Sequence, residues 1–216
     1  MQNKKLNSIP NFSEEYWEKM YAPEKDVIID GQDNSVQHAN YLKSSFDLAG
    51  IQIDSIVDIG CGKGILLNAM LKKFSAKHIH AYEPSQFMYE FLKTRKWYFQ
   101  AKPSIYNLGL QEIQFKRTFD LGICNSIFQY IPDSEVSACF KKLASSIKYL
   151  YFAVPTTEDY KVMKSDVNYQ DSNAISRNKK FYLERLSPYF SIISMNILES
   201  KILVKDSNFT FELYRF

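Results

Sequence analysis

Cysteine is scarce and unpaired in this chain. Three occur in 216 residues, Cys61, Cys124 and Cys139, an odd and sparse set that describes no disulfide framework. No CxxC pair and no HExxH occurs, so no compact zinc pattern is present and no metal site is expected. Long hydrophobic runs are missing as well. No stretch approaches the roughly 18 apolar residues of a membrane span, and the opening MQNKKLNSIPNFSEEYW holds no apolar segment of signal-peptide length. Charge of one sign is lacking too: 27 Lys and Arg stand against 24 Asp and Glu, a net +3. The densest basic cluster, Arg177-Asn178-Lys179-Lys180, is short enough to be a solvated face, so no nucleic-acid partner is expected. Together these absences predict a reduced, cytoplasmic protein without a membrane partner.

What is present is a chain of mixed α/β rhythm, 45% apolar, with material for one core. Short β-rich runs alternate with helical patterns from Ile51 onward, which predicts βαβ units and a mostly parallel sheet. The strands read as Ser55–Ile59, Lys77–Tyr82, Ser104–Asn107, Phe119–Asn125 and Tyr149–Val154. Helices read as Ile65–Phe74, Ser85–Lys96, and one from Pro132-Asp133 with Val136, Phe140, Leu143 and Ile147 at helical spacing. Ahead of this core, residues 1–50 read as a helical cap with helices over Ser13–Tyr21 and Asn34–Ala49. Behind it, residues 156–180 are polar and poorly periodic and read as a loop or lid, followed by a helix near Lys179–Leu186. Two last β-like runs, Phe190–Leu198 and Phe209–Phe216, flank Asp206-Ser207-Asn208 and predict a closing antiparallel hairpin. The expected whole is one domain with a Rossmann-like, doubly wound, seven-stranded sheet.

Gly60, Gly62 and Gly64 alternate between the first strand and the first core helix. Glycine there lets the backbone turn tightly and lets a ligand approach the main chain, beside the free N–H groups of a helix start. Glu83 ends the next strand, where a carboxylate can accept two hydrogen bonds from a ribose diol. A dinucleotide fingerprint needs a third glycine at position 65, which is Ile65, and a P-loop needs GKS or GKT, whereas Lys63 precedes Gly64-Ile65. Both phosphate-binding readings fit poorly.

Val57-Asp58-Ile59-Gly60-Cys61-Gly62-Lys63-Gly64, Glu83 and Phe119-Asp120-Leu121 resemble the class I S-adenosylmethionine-dependent methyltransferases over roughly residues 40–155. The resemblance implies a glycine loop beneath the methionine part of the cofactor, formed by Gly60, Cys61, Gly62 and Gly64, with Asp58 ordering it. It implies Glu83, followed by Pro84, on the ribose. After the third strand, where an acid is common, stands Asn107-Leu108-Gly109-Leu110-Gln111-Glu112-Ile113. Leu110 would then cover the adenine and Gln111 bond its edge. The Gly109-Leu110-Gln111 pattern is also locally similar to methyltransferases of protein N-terminal amines.

The fourth strand ends in Asn125-Ser126-Ile127-Phe128-Gln129-Tyr130. In open α/β sheets ligands bind beyond the carboxyl ends of the strands, so Asn125 and Ser126 are expected beside the transferable methyl and Tyr130 is the candidate catalytic residue. Base-methylating relatives carry Asn-Pro-Pro-Tyr at this place, and the prolines are missing here. Many small-molecule relatives carry His where Tyr130 stands. Asn125 is no carboxylate, which speaks against metal-assisted catechol methylation. His38, His78 and His80 read as structural or surface groups. A general base, if the acceptor arrives protonated, would come from Glu158, Asp159, Asp166 or Asp171, with none singled out. Tyr16, Trp17 and Tyr21 lie on a segment that in related enzymes closes over the cofactor. The expected function is methyl transfer from S-adenosylmethionine to a small-molecule acceptor, leaving S-adenosylhomocysteine. The alternatives are a protein or peptide amine methyltransferase and a non-catalytic cofactor-binding scaffold.

Overall fold

The computed structural model of the chain describes residues 12–21, 32–98 and 102–209. Seven strands form one sheet in the order β3-β2-β1-β4-β5-β7-β6. They are β1 (Ser55–Ile59), β2 (His78–Tyr82), β3 (Ser104–Tyr106), β4 (Phe119–Asn125), β5 (Ile147–Ala153), β6 (Phe190–Ser194) and β7 (Ile197–Ser200). The first five run parallel, while β7 lies antiparallel to β5 and β6 antiparallel to β7. The order reverses at β1, so β1 and β4 diverge there and leave a crevice at their carboxyl ends.

The helices are α1 (Glu14–Met20), α2 (Gln32–Leu48), α3 (Ile65–Leu71), α4 (Gln86–Thr94), α5 (Asp133–Ala144), α6 (Thr157–Val167) and α7 (Lys179–Leu186). None of the described helices is long and apolar enough to cross a membrane. The central strand β1 is buried throughout and feeds two cores, because successive side chains point to opposite faces. Val57 and Ile59 join α5 and α7 residues such as Phe140 and Leu186. Ile56 joins Leu42 and Phe46 of α2 and Leu67 and Met70 of α3. At the opposite strand ends, the Asp120 carboxylate accepts the amide protons of Asp54 and Ser55 and pairs with Lys148 at 2.9 Å. Asp120 thus ties β1, β4 and β5 together on the side away from the crevice.

Two parts of the C-terminal region differ from expectation. Residues 157–167, expected in a loop, form helix α6. Its signal is local: Thr156 and Asp159 make a capping box at its start. The helix buries little, and Val162 is exposed, so no apolar stripe marks it. The hairpin begins and turns inside the first expected β run and ends two residues beyond it. It turns at Met195-Asn196, with Asn196 in the left-handed region at φ 58°, and β6 and β7 are complete by Ser200. The expected partner run, Phe209–Phe216, lies outside the described residues beyond Phe209. Arg177, expected on a solvated face, is buried.

Candidate active site

The carboxyl ends of β1, β2 and β4 meet in one cavity of about 250 Å³, roofed by α1. Asp58, Gly60, Cys61, Gly62, Glu83, Pro84, Leu110, Gln111, Asn125, Ser126 and Tyr130 all line it. Gly64 does not. It sits at the start of α3 with φ 69°, and a Cβ there would come within 2.6 Å of the Trp97 ring.

The glycine loop is built around one carbonyl and one carboxylate. Gly60 and Cys61 both donate their amide protons to the Tyr82 carbonyl, at 2.7 and 3.1 Å. Gly60 and Gly62 take φ of 66° and 51°, which non-glycine residues adopt at a cost of about 1 kcal/mol or more. The Glu83 carboxylate then receives the Gly62 amide at 2.8 Å and the Ser85 amide at 2.9 Å, one on each oxygen. A carboxylate oxygen has two lone-pair sites, so each keeps one for a further donor. Burial pushes the Glu83 carboxyl up to about 7 against those two bonds. Asp58 is pushed up to about 8, first by burial and then by the charge of Glu83. Desolvation, with Asp58 and Glu83 nearby, raises the Cys61 thiol well above its ordinary value. Cys61 is accordingly a neutral, small side chain and no nucleophile.

The wall after β3 is held from behind. Lys142 of α5 donates to the carbonyls of Leu110 and Gln111, at 3.0 and 2.7 Å, and Leu110 is buried. At the end of β4, Ser126 takes a left-handed φ of 58° while its amide donates to the Ala153 carbonyl. This strained residue redirects the chain into a 3₁₀ turn over Phe128–Tyr130. The turn aims Tyr130 into the cavity. Gln129 lines it too, and its buried Oε1 has no hydrogen-bond partner.

Tyr130 is one corner of a cluster that the sequence does not announce. Its hydroxyl donates to Asp171 Oδ2 at 2.7 Å, the Tyr16 hydroxyl donates to the same oxygen at 3.0 Å, and the two hydroxyls stand 3.0 Å apart. Tyr169, also in the cavity wall, stands near enough to Asp171 to feel its charge. Burial raises all three phenols, Tyr169 to about 12, so they stay neutral and none serves as a phenolate base. Of the four loop acids considered from sequence, Asp171 reaches this cluster. Asp159 caps α6, Glu158 pairs with Lys161 and Asp166 meets Ser165.

Arg177 positions that segment. Its guanidinium donates to the carbonyls of Phe128 and Ile131 and to Asp133 Oδ1. Thr157 donates to the Arg177 carbonyl and Ile175 to the Gln129 carbonyl. The stretch 168–177 is thereby pinned to the turn after β4. On the other side, Trp17 of α1 donates its indole proton to Ser85 Oγ at 2.9 Å, and Ser85 Oγ donates to the Phe12 carbonyl. The Trp17 ring lies over Gly62, where a Cβ would meet it at 3.3 Å. His38, His78 and His80 line none of this cavity, and His38 bonds the Tyr151 hydroxyl instead.

Comparison with known proteins agrees with this geometry. Residues 56–149 match the model of a methyltransferase domain. A malonyl-[acyl-carrier protein] O-methyltransferase of Calditerrivibrio nitroreducens is 27% identical over 153 residues, 67% of this chain and 55% of that protein. The chain thus spans about half the length of this curated relative. A counterpart of the same description from Priestia megaterium is 33% identical over 97 residues, 45% of this chain and 31% of that protein. Among solved structures, an S-adenosylmethionine-dependent methyltransferase of Clostridium acetobutylicum superposes with a TM-score of 0.63 at 17% identity, over 78% of this chain and 85% of that one. The fold of this chain is therefore Rossmann-like, and residues 56–149 within it resemble a methyltransferase domain.

Proposed function

We propose that this protein transfers the methyl group of S-adenosylmethionine to a small-molecule acceptor by in-line displacement, leaving S-adenosylhomocysteine. The observation that carries the reading is the buried Glu83 carboxylate at the cavity wall, fixed by two amides and holding one lone-pair position open on each oxygen. A ribose diol offers two donors side by side and matches that pattern. Gly60 and Gly62 bring bare main chain to the same wall, and the residues present fit the cofactor. Gly60, Cys61 and Gly62 would run beneath its methionine part, with Gly64 shaping the entry to α3 and Asp58 ordering the loop. Glu83 and Pro84 would hold the ribose, and Leu110 and Gln111 the adenine. Asn125 and Ser126 would face the reacting methyl.

The bound cofactor supplies an already activated methyl group on a sulfonium. The chain's own task is to align the acceptor with it and to keep water out. The roof of Phe12, Tyr16 and Trp17 serves exclusion. Tyr130, a neutral phenol held by Asp171, orients the acceptor as a hydrogen-bonding group.

The test is a thermal melt with S-adenosylhomocysteine, followed by transfer of labelled methyl into the small-molecule fraction of an extract. Ligand at 100 times its dissociation constant stabilises by about 2.7 kcal/mol. A melt that does not move at any ligand concentration would leave a scaffold without cofactor, and label entering only the protein fraction would favour a peptide amine as acceptor.

A further inference from the structure

We propose that the acceptor group is an amine, bound as its ammonium form by the tyrosine hydroxyls in front of Asp171. The proposal rests on the methyltransferase reading and adds the acceptor class.

The argument is one of proton counting. A phenol carries one proton and accepts through its oxygen. The Tyr16 and Tyr130 hydroxyls both lie within 3.0 Å of Asp171 Oδ2, and Asp171 as a carboxylate only accepts. The protons of these phenols are therefore spent on Asp171, directly or, for Tyr16, through Tyr130 at 3.0 Å. What their oxygens offer to the cavity is lone pairs. A ligand that fits this wall must bring donors, and it meets the negative charge of Asp171 behind them. An ammonium group supplies both. The rings of Phe12, Tyr16, Tyr130 and Tyr169 wall the cavity, and Phe12 packs edge-on against Tyr16 and Tyr130 at centroid distances of 5.1 and 5.0 Å. Aromatic walls stabilise a cation further.

A carboxylate acceptor, the kind implied by a malonyl O-methyltransferase, has the opposite needs. It brings no donor and repels Asp171. Among the described residues lining the cavity, the one cation is Lys63, which lies on the glycine loop, its ammonium bonding the Tyr21 carbonyl.

The same groups take the proton that the ammonium must lose before its nitrogen can attack. It passes to the Tyr130 oxygen as the Tyr130 proton crosses to Asp171 Oδ2 along the 2.7 Å hydrogen bond between the two oxygens. One proton leaves nitrogen, one arrives on the carboxylate, and nothing is oxidised. The nitrogen–carbon bond then forms as the carbon–sulfur bond breaks, its electron pair remaining on sulfur.

The test uses the full chain saturated with S-adenosylhomocysteine and calorimetry with two matched series: arylalkyl amines beginning with 2-phenylethylamine, and the arylalkyl carboxylic acids of the same length. Amines are expected to bind at least about tenfold tighter than their acid counterparts, and Asp171→Asn should weaken them by about tenfold or more, the usual effect of losing a charged hydrogen-bond partner. Tyr130→Phe keeps the ring, loses the oxygen, and should weaken amines as well; it carries the test if Asp171→Asn fails to fold. Acids binding as tightly as amines, no amine binding at all, or folded variants that bind amines like the wild type would each overturn the inference. Loss of S-adenosylhomocysteine binding itself would instead strike the methyltransferase reading. With labelled donor and a metabolite extract, product label should extract into organic solvent at alkaline pH; label released by base as methanol would mark an ester and end the proposal.

Discussion

Trp17 and Ser85 form a latch: the indole proton of α1 ends on the hydroxyl that caps α4, at 2.9 Å and out of solvent. One residue upstream, Tyr16 reaches Asp171 and Tyr130. A seven-residue helix thus bridges the Glu83 side and the Tyr130 side of the cavity. Such a short helix has little stability of its own and is held by these contacts. Trp17→Phe removes the bond but keeps most of the apolar surface, at a cost of about 1 kcal/mol. The melting temperature should drop by a few degrees and S-adenosylhomocysteine affinity by a few-fold. Removal of residues 1–25 should weaken that affinity further while the remaining core still melts cooperatively; full affinity in the truncated chain would show that α1 is no lid.

Glu83→Ala should lower S-adenosylhomocysteine affinity by about 10- to 100-fold, the range for a lost charged hydrogen bond. It also frees the amides of Gly62 and Ser85, so Glu83→Gln is the cleaner variant. Its Oε1 still accepts one amide, while its NH2 group cannot accept the other. Calorimetry on both variants decides, and normal binding by both would remove Glu83 from the ribose.

The two buried acids make the protein sensitive to pH. Both folded values are raised, Glu83 from 4.5 to about 7 and Asp58 from 3.8 to about 8. A group raised on folding contributes stability that is full below its unfolded pKa and is lost as pH rises through the folded one. The ligand-free protein should therefore lose stability between about pH 4 and 8, and Asp58→Asn should flatten the curve. Cofactor affinity should move the other way. Ribose donors favour an ionised Glu83, so affinity should climb with pH up to about 7. Melting curves without and with S-adenosylhomocysteine across this window check both slopes, and parallel slopes would separate Glu83 from binding.

Arg177→Ala should be among the most damaging single changes outside the cavity lining. It removes a donor from the carbonyls of Phe128 and Ile131, of which Phe128 keeps the Ile131 amide, and it empties a buried guanidinium site. Costs of about 2–4 kcal/mol are typical of such losses. Arg177→Lys should recover only part, because an ammonium lacks the planar fork. Urea unfolding gives the stability. At equal folded fraction, the variant should also lose acceptor turnover more than cofactor affinity, since Asp171 sits on the stretch that Arg177 pins.

Local signals made most of the frame legible. β1 and β4 run over Ser55–Ile59 and Phe119–Asn125 as the apolar runs indicate, and Gly60, Gly62 and Glu83 share one wall because a strand-loop-helix unit must put them there. The Tyr130–Asp171 side was not legible. Asp171 bonds to residues 41 and 155 positions away, and nothing in its neighbourhood distinguishes it from Asp166. Arg177 looked solvated because its partners are main-chain carbonyls, which sequence does not advertise. Helix α6 had a readable start at Thr156-x-x-Asp159, hidden by the lack of an apolar stripe behind it.

The glycines separate folding from binding. Gly60→Ala places a Cβ within 2.1 Å of Ile127 Cδ1 at φ 66°. Two penalties add: about 1 kcal/mol or more for left-handed backbone, and displacement of the Ile127 side chain, which belongs to the cavity wall. Both stability and S-adenosylhomocysteine affinity should fall. Ile127→Ala in the same chain should relieve the clash but leave the backbone penalty, so rescue is partial. Gly64→Ala carries a similar φ of 69° and a Cβ 2.6 Å from Trp97, but Gly64 lies outside the cavity lining. Its melting temperature should fall while the affinity of the folded fraction stays within about two- to threefold of wild type. Equal losses of affinity in the two variants would mean that the whole loop, and not its cavity-facing part alone, responds to the ligand.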